Sequence, residues 1–301
     1  MPSLNQSILG LVPLPIPPLS VQREIASVLG SFDDKIELNR QMNETLEAMA
    51  RALFKSWFVD FDPVRAKAGG RQPWGMDAET VALFPSEFEE SELGEIPKGW
   101  RVGRLSDIAT AQRAALNPME FPDEEFDHFS LPAFDDGRTP SREYGKAIKS
   151  NKLVVPSGSV LFSKLNPHIP RVWLTDTQRG HRSVASTEFV VLQCKSPFDR
   201  SYVYSLLAAP AFLAEAGSLV TGTTGSHQRI PPDSLLSLAV VLPDAGVSGR
   251  FGALAGPLLK CTVYNLRQSG TLAELRDTLL PKLLSGEVRV REAEPSVEAV
   301  G

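Results

Sequence analysis

The feature that most constrains the fold is a seven-residue spacing of apolar side chains within residues 17–62. Asn39 occupies the central position of this series, and the positions on either side of it are apolar: Ile25, Phe32, Leu46 and Leu53. The spacing predicts one long amphipathic helix with a coiled-coil seam. A polar residue in such a seam lowers stability but fixes the register of the pairing. The alternative interpretation is a long helix packed on its own globular domain.

Three of the intervening seam positions are also apolar, and we predict that they face the same partner: Val28, Met42 and Met49. Lys35 occupies the remaining intervening position and breaks the apolar pattern. The same plan recurs from Pro243 onward, where Asn265 matches Asn39 and the apolar seam positions are Phe251, Leu258, Leu272 and Leu279. An internal repeat of this kind predicts a second long helix that ends or kinks at Pro281. Two helices with matching seams pair with each other, antiparallel within one chain, or pair across a dimer.

Four further segments complete the predicted organisation. Residues 1–16 have the pattern of the last loop and strand of a preceding domain, and residues 63–95 form an acidic connector. Residues 96–242 form a mixed α/β domain, and residues 291–301 are predicted to be a disordered tail. The helices span residues 17–62 and 243–290, so the predicted class is α+β, with one domain flanked by two long helices that pair as an antiparallel coiled coil.

The α/β domain is predicted from runs of β-branched and aromatic residues bounded by Gly, Pro and Asn. These runs cover residues 152–156, 159–163, 171–174 and 186–194. A helix is predicted over residues 201–217, with Pro210 as a point where it splits.

Composition narrows the functional class. The chain is 42% apolar, and no apolar stretch approaches the roughly 20 residues needed to span a bilayer. Two distant cysteines and the lack of a signal-peptide pattern indicate a reducing, cytoplasmic setting without membrane partners. A net charge of −5 argues against nonspecific nucleic-acid coating, although a local basic face remains compatible with DNA reading.

Motifs for chemistry are missing from the sequence. It lacks the phosphate-binding Gly-x-x-x-x-Gly-Lys loop, the Gly-x-Ser-x-Gly elbow and a dinucleotide fingerprint. Asn166-Pro167-His168 lacks the second proline and the aromatic residue of the amino-methyltransferase signature. The acidic cluster at residues 120–127 has no nearby lysine of the kind that nuclease sites use, so we predict that it is a solvated loop. The four scattered histidines lack metal-ligand spacing. We therefore predict no catalytic residues, no metal site and no cofactor bound by this chain.

Binding chemistry remains. Basic residues outnumber acidic ones between residues 138 and 182, and a polar loop follows at residues 220–230. Such groups suit phosphates and base edges, so we predict DNA contacts, with a polar surface loop as the alternative. The candidate contact residues are Lys164, Asn166, Arg171, Thr224, Ser226, His227, Gln228 and Arg229.

In this order and spacing, several stretches resemble the specificity subunit of type I restriction–modification systems. Residues 15–67 resemble the central conserved helix, and residues 92–109 resemble the start of a target recognition domain. Residues 222–230 resemble the loop near the end of that domain, and residues 275–290 resemble the distal conserved helix.

The resemblance implies a subunit that reads double-stranded DNA and performs no chemistry. Its paired helices would hold recognition domains apart and dock methyltransferase subunits, which use S-adenosylmethionine to methylate adenine. A restriction subunit would join the complex and cleave unmodified DNA with ATP and Mg²⁺. Each recognition domain would read one half of a bipartite target.

The chain departs from the family pattern in having one recognition domain where two are typical. Two interpretations follow: a half-length subunit that works as a homodimer or with a second specificity chain, or an N-terminally truncated, inactive remnant. Two other functional classes stay open, an enzyme in its own right and a coiled-coil adaptor that does not bind DNA.

Overall fold

The computed structural model describes residues 16–167, 169–176, 180–220 and 228–290. Two compact units are present, and each is described by itself. The first unit takes the described parts of residues 1–42 and 265–301, and the second takes residues 43–264. The predicted remnant and tail, at residues 1–16 and 291–301, lie almost entirely outside the described residues.

Helices and strands alternate irregularly between two very long helices. Helices α1–α9 span Leu19–Phe58, Asp62–Ala68, Ala78–Ala82, Leu105–Ile108, Leu131–Asp135, Arg200–Leu207, Pro210–Ser218, Pro232–Leu236 and Ala245–Ser285. Strands β1–β13 span Phe88–Ser91, Gly94–Pro97, Arg101–Arg104, Ala109–Gln112, Ala115–Leu116, Glu125–Phe129, Ser141–Tyr144, Lys152–Val154, Val160–Ser163, Val172–Leu174, Arg182–Ala185, Phe189–Cys194 and Ala239–Leu242. Short 3₁₀ turns occupy Pro118–Glu120 and Gly145–Ala147.

The first unit contains residues 19–42 of α1 and residues 265–285 of α9, packed against each other. Asn39 Nδ2 donates to Gln268 Oε1 at 2.9 Å, and Arg276 Nη1 donates to Asp33 Oδ1 at 2.6 Å. From the first of these contacts to the second, the residue number falls on α1 and rises on α9, so the two helices run antiparallel. The apolar part of this seam is a cluster of buried residues from both helices: Ile25, Val28, Phe32, Leu272 and Leu283. The predicted α+β class with long helices at both ends is confirmed.

One detail of the predicted helices is wrong. Met42 and Met49 are 40% and 52% exposed, so they do not fill the seam. Buried asparagines occupy the neighbouring positions instead, Asn39 at 2% and Asn43 at 3% exposure. Helix α9 continues past Pro281 to Ser285, so of the two predicted effects of this proline the structure excludes the helix end.

The second unit has its main core around the inner ends of the same helices. The Phe251 ring on α9 lies 5.2 Å from that of Phe58 and 5.7 Å from that of Phe54, both on α1. Tyr202 on α6 stacks edge-on against Phe58 at 5.1 Å. These tilted and edge-to-face contacts are the favoured geometries for aromatic pairs, and they tie the α/β domain to the helix pair.

Two larger sheets build the α/β domain. One has the strand order β10-β9-β12-β4, and the other has the order β5-β8-β11-β6-β7. Strand pairs are antiparallel except β11 with β6, which run parallel. Two-stranded pairs β1-β2 and β13-β3 complete the domain.

The four-stranded sheet is covered on both faces. Along β9, Val160 and Phe162 belong to the main core, while Leu161 belongs to a second cluster with Phe129 and Trp173. A strand buried on both faces reads as a continuous apolar run, which is the pattern of residues 159–163. The predicted strands over 152–156, 159–163, 171–174 and 186–194 contain β8, β9, β10 and β12, and the predicted helix divides at Pro210 into α6 and α7.

Candidate nucleic-acid interface

Two of the predicted contact segments meet at one junction in the α/β domain. Leu165 and Arg229 form an antiparallel bridge outside the regular strands. The backbone N–H of Ile230 donates to Lys164 O at 3.0 Å, and that of Asn166 donates to Gln228 O at 2.9 Å. Segments more than 60 residues apart in sequence therefore run side by side, with Lys164, Asn166, Gln228 and Arg229 adjacent.

Asn166 forms the turn that shapes this junction. Its φ of 49° is left-handed, a conformation that asparagine tolerates better than most residues. The N–H of Ile169 donates to Asn166 O at 2.9 Å and closes the turn. Among the described residues no group hydrogen-bonds to the buried Oδ1 of Asn166. The Asn166 side chain therefore has an oxygen beside Gln228 and Lys164 that could accept a hydrogen bond.

The two candidate arginines are each clamped by a carboxylate. Arg229 donates through Nε and Nη2 to the two oxygens of Glu188 at 2.9 Å each. Arg171 donates in the same way to Asp135 at 2.7 and 2.8 Å, and its side chain is only 12% exposed. These hydrogen bonds raise the pKa of both guanidinium groups and lower the pKa of the Asp135 carboxyl. In this state Arg171 forms a structural ion pair with Asp135, and the guanidinium of Arg229 is held by Glu188.

Lys164 differs from the two arginines. Its backbone is fixed by the hydrogen bond from its N–H to Glu188 O at 3.0 Å, yet its ammonium group makes no ion pair with any described residue. Gln228 is half-buried beside it. Thr224, Ser226 and His227, the other three candidates, lie outside the described residues. Lys164, Asn166 and Gln228 are the described candidates best placed to engage an external ligand.

In the folded chain, acidic residues from outside residues 138–182 balance most of the excess positive charge predicted for that segment. Most of these cations pair with carboxylates: Arg138–Glu47 at 2.6 Å, Arg142–Asp127 at 3.6 Å, Lys146–Asp123 at 4.0 Å, Arg171–Asp135 at 2.7 Å and Arg182–Glu124 at 2.6 Å. Lys152 is buried, which lowers its pKa, and its Nζ donates to Lys149 O at 2.6 Å. Arg179 lies outside the described residues.

The reason for this error is topological. The parallel pairing of β6 with β11 and the antiparallel pairing of β6 with β7 bring residues 123–127 beside the basic segment. Counting charges within residues 138–182 missed these acids because they precede that segment in sequence. The acidic cluster at residues 120–127, predicted to be a solvated loop, is in part the counter-charge of the sheet.

Within the described ranges, no three His, Cys, Asp or Glu side chains gather in a geometry that would hold a metal ion. None of the helices in the described part of the chain is both long and apolar enough to cross a membrane. The fold and the junction together define a class of protein that has an α/β domain with a polar loop junction and an antiparallel pair of long helices.

Comparison with known proteins agrees with that class. The family model for the type I restriction modification DNA specificity domain matches residues 1–48. The specificity subunit of the type I restriction enzyme MjaIX of Methanocaldococcus jannaschii is 29% identical over 304 residues, covering 97% of this chain and 64% of the relative. The HindI specificity subunit of Haemophilus influenzae is 27% identical over 336 residues, covering 95% of this chain and 71% of the relative.

Solved structures give further matches of the same kind. A crystal structure of the HsdS subunit from Thermoanaerobacter tengcongensis matches with 16% identity and a TM-score of 0.38, covering 96% of this chain and 64% of that one. A type I restriction-modification S subunit from M. genitalium matches with 12% identity and a TM-score of 0.49, covering 88% and 61%. The sequence matches over nearly the whole chain show that it is similar to the specificity subunits of type I restriction enzymes, and the resemblance seen in its sequence is confirmed.

Proposed function

We propose that this chain is the DNA-reading, non-catalytic specificity subunit of a type I restriction–modification complex in the cytoplasm. The observation that carries the proposal is similarity to specificity subunits over 97% of the chain, with both long helices and the domain between them included. The α/β domain reads one half of a bipartite target in double-stranded DNA. Methyltransferase subunits dock on the helix pair, and a restriction subunit joins through the complex.

The DNA contact is assigned to the junction of Lys164, Asn166 and Gln228. An amide side chain beside a lysine suits an adenine edge next to a phosphate. Arg229 contributes only after its Glu188 clamp opens. S-adenosylmethionine and ATP with Mg²⁺ belong to the partner subunits in this scheme.

The test is a map of methyladenine in cells that carry this chain and its cognate methyltransferase as the sole type I system. A bipartite methylated motif supports the proposal, and a symmetric motif further indicates two identical reading domains in the active complex. Soluble protein without any methylation overturns the proposal for the chain acting as the sole specificity subunit, and re-mapping with a second specificity chain then separates a remnant from a half-subunit.

Residue assignment needs its own measurement. Lys164→Ala is expected to weaken binding of the methyltransferase complex to its target and to reduce the salt dependence of log K by about one unit, since one phosphate contact is lost. Arg171→Ala is the matched control, because Arg171 is committed to Asp135. Equal DNA affinity for Lys164→Ala and the wild type contradicts the assignment.

A second function has one specific observation in its favour. Because most basic residues of the α/β domain pair internally, the chain is also consistent with a coiled-coil adaptor that assembles the complex without touching DNA. Crosslinking separates the two. A photoreactive group replacing Gln228 captures target DNA in the assembled complex if the domain reads DNA, and captures none if the chain is an adaptor.

A further inference from the structure

Glu188 lies at the centre of the junction formed by the segments around Lys164 and Arg229, although it belongs to neither segment. Its backbone oxygen accepts a hydrogen bond from Lys164 N at 3.0 Å. Its carboxylate accepts two more, from Nε and Nη2 of Arg229, at 2.9 Å each. Glu188 therefore holds both segments, one through its main chain and the other through its side chain.

The backbones of Glu188 and Arg229 are fixed, whereas their charged groups reach the surface. Glu188 directly precedes the buried Phe189, the first residue of β12. Arg229 is bridged to Leu165, and the Ile230 that follows it is completely buried. The side chains of Arg229 and Glu188 are 42% and 25% exposed. An external ligand can therefore reach a strong donor and a strong acceptor that are held side by side.

A second pair in the same domain has the same geometry but different surroundings. Arg182 donates through Nε and Nη2 to the two oxygens of Glu124 at 2.6 Å each, and both side chains are similarly exposed. The guanidinium of Arg182 also lies 3.9 Å from the centre of the Phe121 ring. The Glu188 carboxylate instead lies beside Lys164, whose ammonium group makes no ion pair within the described residues. The two pairs thus form a matched set, with one of them at the junction.

The negative charge of Glu188 opposes indiscriminate binding at the junction. Nonspecific affinity for DNA comes from cations that contact phosphates. A guanidinium already held by a carboxylate attracts a phosphate less strongly, and the carboxylate itself repels the phosphate. Glu188 therefore lowers the affinity of the junction for any DNA that does not compensate its charge, which is a device for specificity.

The donors and acceptors of this pair match those of one base pair. In the major groove a G·C pair presents two acceptors on guanine, O6 and N7, and the N4 amino donor of cytosine. Arginine donates to both guanine atoms, and a carboxylate accepts from cytosine N4. An A·T pair would place the adenine N6 donor against the guanidinium and the thymine O4 acceptor against the carboxylate, so both contacts become unfavourable.

We propose that Glu188 and Arg229, here named the reading pair, select a G·C base pair in the target, with Glu188 as the specificity-determining residue. On the target the reading pair opens, Arg229 donates to O6 and N7 of guanine, and Glu188 accepts from N4 of cytosine. On other DNA the reading pair stays closed. The inference rests on the proposed function and adds the class of base pair that the junction reads and the residue that enforces the choice.

The first test maps methyladenine in cells that carry the cognate methyltransferase with the wild-type chain, with Glu188→Gln or with Arg229→Ala. Both variants should lose preference at one and the same G·C pair of the wild-type motif, by on the order of 10-fold. Glu124→Gln is the matched control, because it removes the same charge from the same kind of pair, and it should leave the motif unchanged. Variants that relax different positions, or that both relax an A·T pair, overturn the assignment.

The second test measures binding of the purified methyltransferase complex to a random-sequence duplex by fluorescence anisotropy over a range of salt concentrations. Glu188→Gln should bind this duplex more tightly than the wild type. The slope of log K against log salt concentration should steepen by about one, since Arg229 becomes available to one more phosphate. Glu124→Gln adds the same net charge and should leave the slope unchanged. A folding defect would weaken binding, so tighter binding by Glu188→Gln cannot arise from misfolding.

The outcomes separate this inference from the proposed function. A wild-type chain that gives no methylation and whose complex binds no duplex overturns both. A wild-type chain that directs a bipartite motif, with Glu188→Gln unchanged in motif and in salt slope, overturns the reading pair alone. If Glu188→Gln abolishes methylation, the random-duplex measurement decides, and an unchanged or weaker affinity there overturns the role of Glu188.

Discussion

The same two helices pair in two different ways. In the second unit α1 and α9 meet through large rings, and Phe251 is completely buried among Phe54, Trp57 and Phe58. In the first unit their seam has a polar centre, where Asn39 and Asn265 are both almost completely buried, and the apolar cluster beyond it is small. A single seven-residue pattern therefore covers two interiors of unlike composition.

The difference shows what the repeat determines and what it leaves to context. Periodicity fixes which helix face is inward, whereas the neighbours decide how much apolar area that face buries. In the second unit α6 and the connector add Tyr202 and Phe84 to the core. Since local stability follows buried apolar contact, the helix pair should open more easily in the first unit than in the second.

The largest effect is expected from Phe251→Ala. Removing a ring that is 0% exposed and lies within 6.3 Å of four other rings should cost about 3–5 kcal/mol of unfolding free energy. Urea denaturation of the second unit, followed by fluorescence of the buried tryptophans, measures this loss. Leu254→Ala, one turn further along α9 and 40% exposed, is the control and should change stability by less than about 1 kcal/mol. A loss below about 1 kcal/mol for Phe251→Ala would contradict the aromatic core.

Leu272→Ala tests the seam of the first unit. The side chain is 2% exposed, so truncation should cost about 2–4 kcal/mol, with the cost confined to that unit. Hydrogen exchange measured by mass spectrometry should accelerate in peptides from residues 19–42 and 265–285. Peptides around Phe251 should keep their protection. Acceleration throughout both units would show that the helix pair unfolds as one body, which would contradict the expected difference in local stability between the units.

The sequence carried the long-range information for the helices but not for the sheets. Matching positions such as Asn39 and Asn265 predicted a helix pair because both follow the same seven-residue rule. Nothing comparable marks the parallel pairing of β6 with β11, whose residues are separated by a chain segment containing four other strands. Charge counting along the sequence failed for the same reason, since Glu124 and Arg182 become neighbours only in the folded sheet.

The candidate DNA site was predictable in part. Basic and amide residues near 164 and 228 were found from their chemistry, but the bridge that joins them and the carboxylate clamps on Arg171 and Arg229 depend on tertiary structure. The exposure of Trp74 shows most clearly what the sequence does not predict. Tryptophan is a residue type common in protein cores, and only the fold reveals that Trp57 and Trp100 are buried while Trp74 is not.

Asn39→Leu tests whether the polar side chain at this seam position stabilises the helix pair or is only tolerated there. Seam periodicity alone would predict that leucine stabilises the pair. The structure reverses the sign, because Asn39 Nδ2 donates to Gln268 Oε1 at 2.9 Å and to Ser269 Oγ at 3.2 Å. Leucine would leave these half-buried acceptors without the Asn39 donor and beside an apolar group, at a cost of about 1–2 kcal/mol. Thermal unfolding of the first unit, read by hydrogen exchange, measures the change, and Met42→Leu at an exposed position of α1 serves as control. An increase in stability would restore the simpler expectation.

The smallest effect on stability is expected from two ion pairs made by the long helices, one in each unit. Comparing them tests whether the two units shield charged side chains from water to different degrees. Arg276 and Asp33 pair across the first unit with side chains 34% and 57% exposed. In the second unit Arg138 holds Glu47 of α1, whose side chain is only 13% exposed. Water already screens the first pair, so Arg276→Met should cost less than about 1 kcal/mol and the loss should vanish in 1 M NaCl. Arg138→Met should cost more, about 1–2 kcal/mol, and keep most of that cost in salt, because the Glu47 carboxylate would stay shielded from water and keep only its longer contact to Arg51 at 3.7 Å. Paired denaturation curves at low and high salt measure both. If the two variants respond to salt alike, the environments of the helix pair are less different than their burial indicates.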